Sequence, residues 1–408
     1  MTAEVTLDEL ERDGVVVHLD DERAAALSAT GLVEVRPQGH GRWALVPRGF
    51  VGAVRTGDLQ VQVNPKERVG LSRLLFMLGY ARDPGFRPQD VEAVERADLW
   101  AALAESLVRV VERALAGGVL QGYRTVDDAL RTVRGRIRIG DQLRVRPGHM
   151  LPLEVSYDEF TVDTPENSIL RSALRRMSAV PRVPRALAAR LRHLDARLEG
   201  VRVLPRGGQL PRWTPTRLNR HYQPALRLAE LVLRNASTEP GAGGMVVASF
   251  VVPMWKVFED FVTTALQEAL LAHPGRTVAQ YPDWLDEPAP GHWRGAVRMD
   301  VDIVHLDATG TPRIVFDAKY KAAGGSGQYP NADHYQMLAY CTALRVPVAW
   351  LVYAQGSTEP AVRRIRNTDV SVVEYALDLS VPPRALLEQV HRLADAAVRT
   401  SVREPLAL

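Results

Sequence analysis

Short apolar runs broken by glycine and proline fill the stretch from about Val15 to Val63 (GVVVHLD, GLVEVRP, GRWALVPRGFVGAVRTGDLQVQVNP). Their short period predicts a set of β-strands forming a small sheet or barrel. After Pro65 the spacing lengthens: RVGLSRLLFMLGYA and DLWAALAESLVRVVERALAGG carry apolar residues at helical intervals, and Gly117 with Gly118 marks a stop. TVDDALRTVRGRIRIGDQLRV suggests a turn into a ribbon near 131–146. Thr164 then reads as a helix N-cap with Pro165 in the first turn, and further helices are expected at PRALAARLRHLDARLEG and PALRLAELVLRNA.

The stretch NASTEPGAGG, Asn235 to Gly244, reads as a linker. Beyond it the pattern predicts a helix from about Met254 to Ala272, strands at Ala296 to Leu306 and Arg313 to Ala318, a helix at Ala332 to Leu344 and a strand at Val346 to Tyr353. A strand near Ala361 to Arg366 and a helix from Pro383 to Thr400 close the chain. The expected fold class is multi-domain α+β or α/β. It comprises a β-rich domain over 1–70, a mainly helical domain over 71–240 and a mixed domain over 241–408.

Composition narrows the picture. With 46% hydrophobic and 24% charged residues over 408 positions, the chain is ordinary globular protein rather than disordered or fibrous. A formal net charge of +3 permits a nucleic-acid partner without demanding one. Cys341 is the single cysteine, which excludes an internal disulfide and a thiolate zinc cage and fits a reducing cytoplasm. The first residues, MTAEVTLDELERDG, lack the apolar core of a secretory signal, and the apolar stretch Gly243 to Trp255 falls short of the roughly 20 residues that span a bilayer. No membrane association is expected. Only four of the 51 basic residues are lysine (Lys66, Lys256, Lys319, Lys321), and two of those lie in the segment DAKYK.

That segment carries the candidate chemistry. In a strand, Asp317 and Lys319 share a face, as do Asp300 and Asp302 on the preceding strand. The intervening ATGTP is a plausible hairpin connection that would set Asp302 beside Asp317. Buried charges of this kind need compensation, and magnesium suits hard oxygen donors, with manganese as a substitute. Glu259 lies next to the apolar stripe of MWKVFEDFVTTAL and can reach over a sheet edge, while Gln336 and Tyr340, four apart in HYQMLAY, share a helix face. Lys321, His334 and Arg298 are further positively charged candidates for a phosphate, although most such residues simply solvate a surface.

Glutamate on a helix, aspartate on a strand, D-x-K on the next and Q-x-x-x-Y on the following helix resemble the PD-(D/E)xK nuclease fold in its RecB-like branch. More closely, DAKYK, YQMLAY, MWKVFEDFV, YDEFTVDTPENSILRSAL, RGRI and VNPKE resemble the McrC family, the nuclease subunit of the McrBC 5-methylcytosine restriction system. The resemblance implies a Mg²⁺-dependent endonuclease acting on methylated or modified double-stranded DNA. In it Asp302, Asp317 and Glu259 match metal ligands, Lys319 the catalytic lysine, and Gln336 with Tyr340 the accessory pair. Val301 stands where the family usually has proline, which leaves Asp300 as an alternative ligand; the apolar pair Ile303 and Val304 favours Asp302. The resemblance further implies a McrB-like AAA+ GTPase hexamer as partner, docked on the N-terminal and middle regions, and the sequence has no G-x-x-x-x-G-K-[ST] phosphate loop of its own. The arginines of RTVRGRIRIGDQLRVR could serve a nucleotide pocket or a DNA backbone. Alternatives are a non-catalytic activator of an AAA+ NTPase, or a McrC-like nuclease of another anti-phage module.

Overall fold

The computed structural model describes residues 3–402 apart from 10, 12, 66–68, 85, 87–97, 241–245, 287–295, 323–330 and 357–358. The chain divides into two compact units, residues 1–99 with 239–408, and residues 100–238. Lys66 and Glu67 of the VNPKE motif lie outside the described residues, as does the side chain of Lys321.

The chain opens with β1 (Ala3–Asp8), β2 (Val15–His18), α1 (Asp21–Ala29), β3 (Val33–Gly39), β4 (Arg42–Pro47), β5 (Phe50–Thr56), β6 (Leu59–Asn64) and α2 (Leu71–Tyr80). The all-strand reading of Val15 to Val63 is corrected by α1. Asp20 caps it by accepting from the Arg23 amide at 2.7 Å, and Ala24 and Leu27 are buried, so a short alanine-rich helix hides between apolar strands.

In the second unit, α3 (Leu99–Leu115) leads to β7 (Gly122–Leu130), β8 (Arg136–Ile137), α4 (Ile139–Val145) and β9 (Leu153–Thr161), then α5 (Pro165–Ser178), α6 (Arg185–Arg197) and α7 (Gln223–Asn235). The ribbon lies earlier than the sequence suggests: β7 pairs with β9 over their whole length, β8 adds two residues, and 139–145 is helical. Arginine–isoleucine alternation imitates a strand there, but only Arg136 and Ile137 find a partner strand. Thr164 caps α5 through the Asn167 amide at 3.3 Å. The side chain of Asn167, fully buried, donates to the carbonyls of Leu120 and Val162 at 2.7 Å each, closing the turn that launches the helix.

The segment read as a linker begins with a strand, β10 (Ala236–Pro240), and is followed by β11 (Val246–Pro253), α8 (Met254–Leu270), β12 (Arg276–Trp284), β13 (Arg298–Leu306), β14 (Pro312–Ala322), α9 (Asn331–Leu344), β15 (Val348–Gln355), β16 (Ala361–Arg364), β17 (Ser371–Ala376) and α10 (Pro383–Val402). Residues 1–70 do not complete their larger sheet by themselves. The five-stranded sheet runs β1-β6-β5-β11-β10, with β11 antiparallel to β5, while β2-β4-β3 form a separate three-stranded sheet.

The remaining sheet positions the site. Its order is β12-β13-β14-β15-β17-β16, with β12, β13 and β14 antiparallel and β14, β15 and β17 parallel. Helix α9 forms the crossover from β14 to β15 and packs on β14, β15 and β17; Met337, Tyr340 and Leu344 share its core with Val315, Leu351 and Tyr353. Helices α8 and α10 pack on each other and on β14.

Candidate active site

The β13–β14 hairpin is closed by Asp307, whose Oδ1 accepts from the amides of Thr309 and Thr311 at 2.8 and 3.0 Å. A one-residue irregularity between His305 and Leu306 then sets the register. From there the ladder runs to its end at Ile303↔Phe316, and Asp302 and Asp317 are the residues that follow on each strand. Here side-chain bonding takes over, and the Ala318 amide donates to Asp302 Oδ2 at 3.2 Å. On the other side of β13, Ala279↔Ile303 and Tyr281↔Val301 bracket Gln280, which sits opposite Asp302 with φ +48. A non-glycine residue in that region costs about 1 kcal/mol or more and persists where the surroundings require it. The Gln280 amide donates to Glu259 Oε1 at 3.2 Å, tying α8 to the strand beside Asp302.

Asp317 is 0% exposed, and the Lys319 ammonium stands 2.7 Å from its Oδ2. The ammonium thus serves Oδ2, while the buried Oδ1 has no hydrogen-bond partner among the described residues. Burial raises the pKa of Asp317 despite Lys319. Burial, and then the charge of Asp317, pushes Asp302 up to about 6. For Lys319, burial acts to lower the pKa, but the Asp317 carboxylate outweighs it and the net direction is upward.

The other sequence candidates divide. Gln336 donates to the Tyr340 hydroxyl at 2.7 Å, and that hydroxyl donates to the Asp300 carbonyl at 3.3 Å, so the pair meets β13 beside the carboxylates. Glu259 adjoins the site, its pKa raised by burial and next by Asp302, but its Oε1 is held by Lys256 at 3.2 Å as well as by Gln280. Asp300 is 46% exposed and pairs with Arg298 at 2.8 Å, whereas Asp302 adjoins Asp317. His334 pairs with buried Glu374 at 2.8 Å. Sequence reasoning misses Gln280, Tyr353, Glu374 and Asp333. Asp333, in the first turn of α9, is buried, accepts from the Tyr353 hydroxyl at 3.3 Å, and acts electrostatically on both Asp317 and Lys319. The spacing of Asp333 from Gln336, one helical turn, was the available signal.

The donor set fits a hard divalent cation. Asp317 contacts the Lys319 ammonium, Asp302 and Asp333 act on it electrostatically, and Glu259 pairs with Lys256. The buried Oδ1 of Asp317, unlike the Oδ2 that faces Lys319, has hydration to recover. Among the described residues no three His, Cys, Asp or Glu side chains form a metal cage; magnesium commonly takes only one or two carboxylates, completing its shell with water and phosphate.

Residues 45–354 match the family model of the McrBC 5-methylcytosine restriction system component. The chain belongs to this McrBC family. Its structure is similar to a chain in the refined half-complex of the tetradecameric assembly of Thermococcus gammatolerans McrB AAA+ hexamers with bound McrC. The TM-score is 0.60 at 16% identity, covering 97% of this chain and 100% of that one. At that identity the likeness speaks for the fold. A chain in the cryo-EM structure of the T. gammatolerans McrBC complex is more distant, at TM-score 0.42 and 17% identity over 66% of this chain and 88% of that one. Among curated proteins none matches. No described helix is long and apolar enough to cross a membrane.

Proposed function

We propose that this McrBC-family subunit is a Mg²⁺-dependent endonuclease that hydrolyses phosphodiester bonds in methylated or otherwise modified double-stranded DNA, and that its C-terminal sheet with α8 and α9 is a PD-(D/E)xK nuclease core. The observation that carries this reading is Asp302, bonded to the Ala318 amide and under the charge of Asp317, with Lys319 at 2.7 Å from Asp317. Asp302 and Asp317 would hold the ion, and Glu259 adjoins them. When bound, Mg²⁺ supplies Lewis-acid activation of water and neutralises charge on the scissile phosphate. Lys319, kept cationic by the surrounding carboxylates, offsets negative charge that develops on the phosphate oxygens. Tyr340, oriented by Gln336, fixes the end of β13 from which Asp302 projects.

The partner is an AAA+ GTPase of the McrB type. The relative described above is assembled with McrB AAA+ hexamers. In the second unit of this chain, exposed Val133, Ile139, Leu143 and Met150 lie among the arginines of the β7–β9 region, a surface chemistry suited to a protein partner. The test is reconstitution with such a partner on methylated and unmethylated DNA. Asp317→Ala and Lys319→Ala should abolish cleavage while leaving assembly and stimulation of the partner's nucleotide hydrolysis intact. Cleavage by Asp317→Ala at the wild-type rate sinks the nuclease reading.

A further inference from the structure

We propose that the groove between α10 and the outer strands of the six-stranded sheet is a nucleotide site, which takes a nucleoside monophosphate, free or at the end of a strand. The groove lies on the sheet face opposite the carboxylates, and the inference does not depend on the nuclease reading above.

The sheet register builds the groove. Adjacent residues of a strand point to opposite faces, so Trp350 and Val373 turn away from the side on which Asp317, Leu351 and Glu374 stand. On that far side two rows cross β15, β17 and β16. One is Trp350, Val373 and Val362; the other, one pleat along, is Val348, Ser371 and Arg364. Both rows line the groove. Helix α10 packs on β14 and β15, and its residues Ala396, Arg399 and Thr400, three and four positions apart on one helix face, line the groove from above. The volume is about 560 Å³, within the roughly 300–1,000 Å³ of small-molecule sites.

The two rows differ in chemistry, and the difference selects the ligand. The first is apolar: Trp350 is 2% exposed, and Val362 at the sheet edge is 59% exposed. The indole Nε1 of Trp350 is buried with no hydrogen-bond partner among the described residues, a costly state for a donor. The second row ends in Arg364, and Arg399 lines the same groove from the helix. Both arginines are exposed, and among the described residues neither has an ion pair. Two guanidiniums on one concavity suit a phosphate, which they bind through charge-assisted hydrogen bonds. Asp369, in the turn between β16 and β17, also lines the groove and offers an acceptor to sugar hydroxyls or an exocyclic amine. A flat heterocycle on the apolar row brings a ring acceptor to the indole N–H and leaves its phosphate at the arginine end. A nucleotide combines these features, whereas a hydrocarbon acid leaves the indole N–H and Asp369 without use.

The test is calorimetric titration of the full chain in EDTA with AMP, GMP, CMP and UMP in turn. At least one should bind one to one with a Kd on the order of 10 µM, the efficiency expected of a ligand of this size. The matching nucleoside and inorganic phosphate should each bind more than about tenfold more weakly. Arg364→Ala and Arg399→Ala, both at exposed positions, should each raise the Kd about tenfold, and Trp350→Phe, which keeps a ring and removes the N–H, about threefold. Asp317→Asn should bind as the wild type does, which separates this groove from the carboxylate site. Displacement by a 5′-phosphorylated single-stranded decanucleotide, but not by its 5′-hydroxyl counterpart, assigns the site to strand ends; no displacement assigns it to the free nucleotide. The inference is overturned by lack of saturable binding of all four nucleotides, by a Kd unchanged in both arginine variants, by a nucleoside that binds as tightly as its monophosphate, or by loss of binding in Asp317→Asn.

Discussion

Replacing Asp302 with asparagine should stabilise the metal-free protein at neutral pH while destroying cleavage. The carboxyl ionises near 4 in an unfolded chain and near 6 in the folded one, chiefly because it is buried and next because it faces Asp317. Lys319 and Lys256 oppose the shift without cancelling it, and Glu259 adds a further negative neighbour. Between those two pH values the folded state binds more protons than the unfolded state, so stability falls as pH rises through the window. Each pH unit corresponds to about 1.4 kcal/mol, which makes the penalty above pH 6 about 3 kcal/mol. The substituted amide would retain an oxygen for the Ala318 amide, so the hydrogen bond survives while the charge does not. At roughly 2 °C per kcal/mol for a unit of this size, thermal unfolding in EDTA followed by circular dichroism should place Asp302→Asn about 6 °C above wild type at pH 8. The difference should vanish near pH 4. A variant no more stable than wild type at pH 8, or a gap independent of pH, refutes the reasoning that Asp302 is a half-buried carboxylate held above its ordinary range.

Magnesium should reverse that instability. Saturating Mg²⁺ at 100 times its Kd adds about 2.7 kcal/mol to the folded state, so wild type should gain several degrees at pH 8 while Asp317→Asn gains none, as checked by the same melts. Gly52 has φ +143, and a Cβ there would lie 1.8 Å from the Phe250 carbonyl oxygen of the paired strand β11; Gly52→Ala should cost on the order of 3 kcal/mol, read as a lowered melting midpoint. Thr164→Ala removes the cap of α5 and should cost about 1 kcal/mol, visible as faster amide exchange in the first turn of that helix without loss of Mn²⁺ binding.

Much of the local architecture is legible in the chain because it follows from short-range periods. Helical spacing marks α2, α3, α5 and α8 within a few residues of their observed ends, and alternation places Asp317 with Lys319 and Asp300 with Asp302. Alternation cannot distinguish Asp300 from Asp302, since both occupy one face. The strand environment separates them, leaving Asp300 exposed beside Arg298 and Asp302 against Asp317. The same limit explains the misplaced ribbon, where the RGRIRI pattern suits a strand but β9 accepts only two of its residues.

What the sequence alone determined is the inventory and its local phase: the acids and the ammonium on strand faces, the accessory pair one helical turn apart, and the family motifs. Tertiary structure decided which of these groups share a charge balance. It joined β5 to β11 from a distant part of the chain, set Gln280 opposite Asp302, and brought Asp333 to the Tyr353 hydroxyl. Backbone periodicity acts over a few residues and is written in order along the chain. The cost of burying a charge depends on every neighbour in space, and those neighbours are known only once the strands have paired.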